Sequence, residues 1–159
     1  MKAFLKDNAI KSTIGNLVIN TLFPVLILLS DSVVNVKGPT PNLTSILVPG
    51  IFMSALMTTI ITYGVMTSQR KRGQLAPSLS AATGWFPTAL LNGIGIGLLF
   101  ALPSLLLIIG LQSVMENELI PKLTVIVLSA VIGALTGLFS SLVAANRAVR
   151  LGASQSQQV

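Results

Sequence analysis

The sequence predicts an all-α, polytopic membrane protein: four transmembrane helices arranged as two hairpins, with both termini cytoplasmic. Three observations carry this. First, 52% of the 159 residues are hydrophobic, only 9% are charged, and mean hydropathy is +0.85. A soluble domain is typically about 25% charged, so a chain this poor in charge lacks the side chains to cover a water-facing surface. Second, the apolar stretches approach the roughly 20 residues that a bilayer-spanning helix needs, and apart from Lys122 at the very start of the fourth none carries Asp, Glu, Lys or Arg before Arg147. Third, the basic residues alternate between connections. Lys2, Lys6 and Lys11 precede span one, Arg70, Lys71 and Arg72 follow span two, and Arg147 and Arg150 end span four. The two other loops hold Lys37 and Lys122 beside Asp31, Glu116 and Glu118. By the positive-inside rule, both termini and the "QRKRGQ" loop face the cytoplasm of a cell inner membrane.

Span one is expected over about 14–30, "IGNLVINTLFPVLILLS". Ahead of it, Ala3 to Ile10 is either a short interfacial helix with Phe4, Leu5 and Ile10 toward lipid, or a frayed basic tail. No small-x-small cleavage site follows "LILLSDSVV", so this segment does not read as a cleaved signal peptide. Asp31 to Asn42, "DSVVNVKGPTPN", is a turn-rich loop. Span two covers about 43–68, span three about 87–112 and span four about 121–149. Pro87 and Pro121 suit the first turn of a helix, where the missing N–H is not needed. Pro24 and Pro103 fall inside spans, where they are expected to kink them. The end, "GASQSQQV", reads as disordered. The whole chain, 1–159, is one transmembrane domain.

Small and polar residues recur every fourth position. Gly50, Ser54, Thr58 and Thr62 do so in span two, and Ser129, Gly133, Gly137 and Ser141 in span four. Gly93, Gly97 and Ala101 follow the same spacing in span three, and Asn16, Asn20 and Pro24 in span one. Residues four apart share a helix face. In lipid, apolar burial gives helices little reason to associate. Small residues let backbones touch, and Ser or Thr add interhelical hydrogen bonds of about 0.6–2 kcal/mol each. These seams are expected to be helix-packing faces. Lining a polar path, or the general abundance of such residues in membrane helices, are the other readings.

"SALMT" at 54–58 lies against "GALTG" at 133–137, both helices end in a basic run, and "TLFPVLILL" parallels "LLFALPSLLL". This raises a parallel repeat of 14–72 and 87–150, its halves related by an axis along the membrane normal.

The available chemistry is narrow. With no Cys and no His, disulfides, ordinary zinc sites and histidine acid–base catalysis are excluded. The Ser and Thr hydroxyls have no base placed to activate them. "NGIGIG" lacks the preceding strand and the Lys of a phosphate loop. No catalytic residue, metal or cofactor is expected, and the chain does not read as an enzyme. The net charge of +6 sits beside apolar spans, which favours topology over nucleic acid. Amides in hydrocarbon need partners, so Asn16, Asn20 and Asn92 either fix packing or, with Thr59, Thr62 and Tyr63, form a polar pocket between spans one and three. Arg70, Lys71 and Arg72 are the topology signal, with an anionic lipid head group as the sharper possibility. Trp85 and Phe86 read as interface anchors.

The frame "GIFMSALMTTIITYGVMTS", a basic loop, then "GWFPTALLNGIGIGLLFALP" resembles a small bacterial membrane-protein family of unknown function built from paired transmembrane helices. The resemblance covers about 45–105. In architecture alone, the tandem of paired helices is similar to the small four-helix antimicrobial-compound exporters of proteobacteria. Their first helix carries an acidic residue where this chain reads "IGNLVIN", and their Trp-Asn motif is absent; drug–proton exchange is therefore not implied.

The expected function is a non-enzymatic membrane protein that assembles through its seams, as an oligomer or an accessory subunit of a membrane complex. The alternative is a small transporter or channel for an uncharged or amphipathic solute, with no buried carboxylate to couple it. A lipid-binding role for the basic loop is the third.

Overall fold

The computed structural model describes residues 2–73, 85–114 and 119–155. Helix α1 spans Lys2–Ile27, strand β1 Val33–Asn35, α2 Leu43–Lys71, α3 Trp85–Val114, strand β2 Leu119–Pro121 and α4 Lys122–Gln155. All four helices contain segments long and apolar enough to cross a membrane.

Helix α1 is longer than its apolar run. The basic segment continues the span as one helix, so Ala3 to Ile10 is neither a separate interfacial helix nor frayed. Asn8 and Ala9 are buried, and Leu5 packs inward against a cluster at one end of the bundle rather than outward. Helix α2 starts where Asn42 accepts the Ser45 N–H at 2.9 Å while the Ser45 hydroxyl takes the Asn42 N–H, a reciprocal cap. It stops at Gly73, whose φ of +68 favours glycine and whose N–H bonds the Arg70 carbonyl. Helix α4 runs to Gln155, so half of the tail expected to be disordered is helical; 156–159 lie outside the described residues. Pro87 does lie in the first turn of α3, whereas Pro121 ends β2 and α4 begins at Lys122.

The helices do not pack as two self-contained hairpins. Helix α1 lies on α4, α4 on α2, and α2 on α3, while the sequence neighbours α1 and α2 touch sparsely, as do α3 and α4. Two facing pairs fix the register: Gly137 lies against Asn16, and Gly133 against Asn20. Helices α1 and α4 therefore run antiparallel, so the start of α1 shares an end of the bundle with the last turns of α4. Arg70 joins them there through Ala148. At the other end β1 and β2 pair antiparallel, Val34 opposite Ile120. This ribbon, which joins the turn-rich loop to the connection ahead of α4, is not visible in the sequence. The Lys122 ammonium donates to the Leu28 carbonyl at the end of α1, and Gln112 Nε2 bonds Val36 O at 2.6 Å and Thr44 Oγ1 at 3.0 Å.

Two apolar clusters close the ends. Leu28, Val34, Leu43, Ile46, Leu47, Ile51, Ala101, Ile108 and Val125 gather near the ribbon. Tyr63, Met66, Ala89, Ile96, Ala144, Ala145 and Ala148 gather near Arg70. Between them the interior is polar, while the outside is leucine: Leu91 is 71% exposed and Leu107 75%. Water would penalise that distribution at about 25 cal/mol per Å² of apolar surface, whereas hydrocarbon would not.

Candidate functional site

The buried polar groups form a ladder where α1, α2 and α4 meet. Asn8 Nδ2 donates to Thr62 Oγ1 at 3.1 Å, Asn16 Nδ2 to Thr58 Oγ1 at 2.7 Å, and Asn20 Nδ2 to Ser54 Oγ at 2.6 Å. Asn16 and Asn20 also donate to the carbonyls of Ser12 and Asn16, one turn back on α1. The seam of α2 is thus the acceptor side of the ladder, and the seam of α4 is its back wall. A Cβ added at Gly133 would overlap the Asn20 amide, and one at Gly137 would lie 2.5 Å from Asn16 Nδ2 and 2.7 Å from the Ser12 carbonyl. Gly50 faces the Asn20 amide oxygen, its added Cβ falling 3.1 Å away. Ser129 and Ser141 are buried on the same helix, the Ser141 hydroxyl bonded to the Leu138 carbonyl. Asparagine needs a gap of this size because its amide must lie flat between two backbones; only Gly at 133 and 137 leaves one.

The third seam works in the opposite sense. Gly93 and Gly97 of α3 admit Leu56 and Phe52 of α2, whose backbone carbonyls lie 3.2 and 3.3 Å from the added Cβ positions. Ala101 is buried in the cluster near the ribbon. The seams of α3 and α4 are therefore covered by other helices of the same chain, and that of α2 is covered where it meets the ladder.

The pocket residues divide. Asn16, Asn20 and Thr62 belong to the ladder. Thr59 is fully buried and bonds its own Ala55 carbonyl at 2.8 Å. Asn92 lies on the far side of α2, where its Oδ1 accepts from Arg147 Nη1 at 3.1 Å and its Nδ2 bonds the Thr88 carbonyl. Tyr63 is buried against α4, and its hydroxyl has no partner. Spans one and three form no common pocket, because α2 and α4 stand between them. Arg70 also turns toward α4, while Lys71 and Arg72 are exposed. Trp85 rests beside Gly64, with Phe86 edge-on at 5.8 Å.

Sequence reasoning missed Asn8, although it continues the row Asn8, Ser12, Asn16 and Asn20 at intervals of four. It lay in a segment too polar to read as a span.

Because α1 and α2 barely touch, a crevice opens between them above the ladder. Its upper part, about 260 Å³, is bordered by Lys11, Gly15, Asn16, Met57, Ile61 and Gln69. Its lower part, about 320 Å³, is bordered by Asn16, Asn20, Phe23, Gly50, Met53 and Met57. The rim is apolar and the floor is amide and hydroxyl. The one ion pair among the described residues, Lys11 with Asp7 at 2.7 Å, sits at its mouth and is exposed. Among the described residues no three of His, Cys, Asp and Glu come together. The arrangement can grip an elongated apolar body and offer it hydrogen bonds.

No protein-family model, curated protein or solved structure matches the chain.

Proposed function

We propose that the chain is a non-enzymatic, multi-pass protein of the cell inner membrane that works by assembly, its docking face being the α1/α2 crevice. The occupant is a transmembrane helix of a second copy, or of a larger complex that it joins. The observation that carries this is that the seams of α3 and α4 are filled within one chain, while the α2 seam, beyond its bonds to the ladder, opens into the crevice at Gly50. From Asp7 to Phe23 its α1 wall spans seventeen residues, about 24 Å at helical rise, which suits an occupant lying along the helices. Met53 and Met57 on its rim adapt to irregular partners.

The exposed leucines and buried amides support the membrane reading. The gathering of Lys6, Lys11, Arg70, Lys71, Arg72 and Arg147 at one end supports a cytoplasmic location for that end and both termini. The alike packing of α1 on α4 and α3 on α2 supports the duplication of 14–72 and 87–150, and the likeness of 45–105 to paired-helix membrane proteins fits it.

A second reading, transport of an uncharged or amphipathic solute, is favoured by the Asn20 amide oxygen, which faces the crevice beside Gly50 and would accept a bond from a solute hydroxyl or amide. One experiment separates the two. The chain lacks cysteine, so Met57→Cys on the rim and Leu107→Cys on the opposite face can be oxidised in nanodiscs holding two or more copies. Assembly through the crevice predicts Met57→Cys dimers and no Leu107→Cys dimers. Equal yields from both positions, with native mass spectrometry showing a monomer, would remove the assembly reading and leave the solute reading to be tested by flux.

A further inference from the structure

The end of the bundle that holds Arg70 contains polar groups the ladder does not use. Tyr63 is only 5% exposed and its hydroxyl has no partner; Ser140 is fully buried and its hydroxyl has none; Arg70 Nε is buried and unpartnered. Positions 63 and 70 share a face of α2, and 140 and 147 share a face of α4, since seven residues make two turns. The register sets these faces together: Arg70 Nη2 reaches the Ala148 carbonyl at 3.1 Å, and Tyr63 packs among Ala144, Ala145 and Ala148. Arg147 is the chain neighbour of Ala148, whose carbonyl Arg70 reaches. Arg147 is held by a neutral group, the Asn92 amide oxygen. The one described carboxylate at this end, Asp7, is taken by Lys11.

Among the described residues these are buried polar groups without a partner. An arginine Nε–H cannot accept, and two guanidiniums with no carboxylate between them leave charge uncompensated beside a low-dielectric interior. An unpaired buried donor is destabilising, more so when charged. A tetrahedral oxyanion offers acceptors suited to a phenol hydroxyl and two guanidiniums. Trp85, packed on Gly64 at the same end, is the kind of side chain that sits at head-group depth.

We infer that Tyr63, Arg70 and Arg147, where α2 and α4 end, form a binding site for a phosphate group, that of an anionic lipid head group. It rests on the membrane reading above, and it differs from the basic Arg70–Lys71–Arg72 run in drawing its second cation from α4. Free phosphate shares the chemistry, and the test separates the two.

Wild type, Arg147→Gln, Tyr63→Phe and the exposed control Arg72→Gln are placed in nanodiscs of phosphatidylcholine with phosphatidic acid. Lipid retained on release is then counted by native mass spectrometry. Wild type is expected to keep one phosphatidic acid. Arg147→Gln, losing a charge-assisted contact, retains it about tenfold less or weaker still. Tyr63→Phe, which removes one oxygen and no packing volume, weakens it severalfold, and Arg72→Gln leaves it unchanged. A separate arm adds inorganic phosphate in neutral detergent: binding there that depends on Arg147 and Tyr63, with no lipid retained, keeps the site and assigns it to free phosphate. Equal loss in Arg72→Gln and Arg147→Gln, or no preference for phosphatidic acid and no phosphate bound, overturns the site. Failure of the chain to enter nanodiscs would refute the membrane reading instead, and the detergent arm would still decide the site.

Discussion

Replacing Gly133 by alanine adds one methyl group where there is no room for it. The new Cβ overlaps the Asn20 amide, so the amide must leave its place between α2 and α4. That breaks its 2.6 Å bond to Ser54 and its 2.8 Å bond to the Asn16 carbonyl. Interhelical bonds of this kind average about 0.6 kcal/mol and reach about 1.7 in membranes. Forcing a methyl group into a packed interior adds about 1–3 kcal/mol. Alanine returns about 1 kcal/mol through helix propensity. The net expected loss is about 1–3 kcal/mol. Gly95→Ala is the internal control: nothing lies within 4 Å of its added Cβ, so it should be neutral or stabilise by up to about 1 kcal/mol. The assay is reversible unfolding in mixed micelles, with both variants repeated in an Asn20→Gly background. There all three atoms that the new Cβ meets are gone, and the penalty at Gly133 should shrink by more than about 1 kcal/mol. A Gly133→Ala protein as stable as Gly95→Ala, or a penalty unchanged in the Asn20→Gly background, would refute the reasoning.

Other expectations follow from the same contacts. Gln112→Ala removes the bonds to Val36 and Thr44; hydrogen exchange at Val33 to Asn35 should rise before that of the helices, and overall stability should fall by about 1–2 kcal/mol. Lys122→Met removes the cation that caps the α1 carbonyls at Leu28, costing about 1 kcal/mol in unfolding measurements. By contrast, Lys11→Gln breaks an exposed ion pair and should change stability by less than about 0.5 kcal/mol.

How much of this was legible in the sequence differs by level. The four spans and the seams are legible because both depend on local composition: hydrocarbon demands apolar runs, and close helix approach demands small residues at helical spacing. Which seam meets which helix is not local. Nothing in "SALMT" or "GALTG" states that the asparagines of α1 fill the space both leave, and sequence adjacency does not show that α1 packs along α4 and meets α2 mainly through the ladder. The start of α1 was misjudged because Lys6, Asp7 and Lys11 lower its hydropathy, although Asn8 finds its partner in Thr62 and keeps that turn inside the bundle. The β1/β2 ribbon escapes because three-residue strands are too short for alternation to show, and Asp, Asn, Gly and Pro around them read as turn. Asn92 was grouped with Asn16 by depth alone; depth says nothing about azimuth, and Arg147 on α4 was its partner.

The reading stands on the seams being closed within one chain around the asparagine ladder. The most direct measurement uses Asn16→Cys with Thr58→Cys, positions whose native side chains meet at 2.7 Å, in a chain with no other cysteine. A short bis-maleimide is applied to the doubly substituted protein in nanodiscs and again after dilution with excess wild-type chain. A link formed inside single chains, at a yield that dilution does not change, is the predicted result. A link that joins two chains and fades as wild type is added would contradict it, and would return the small-residue faces to the surface between copies.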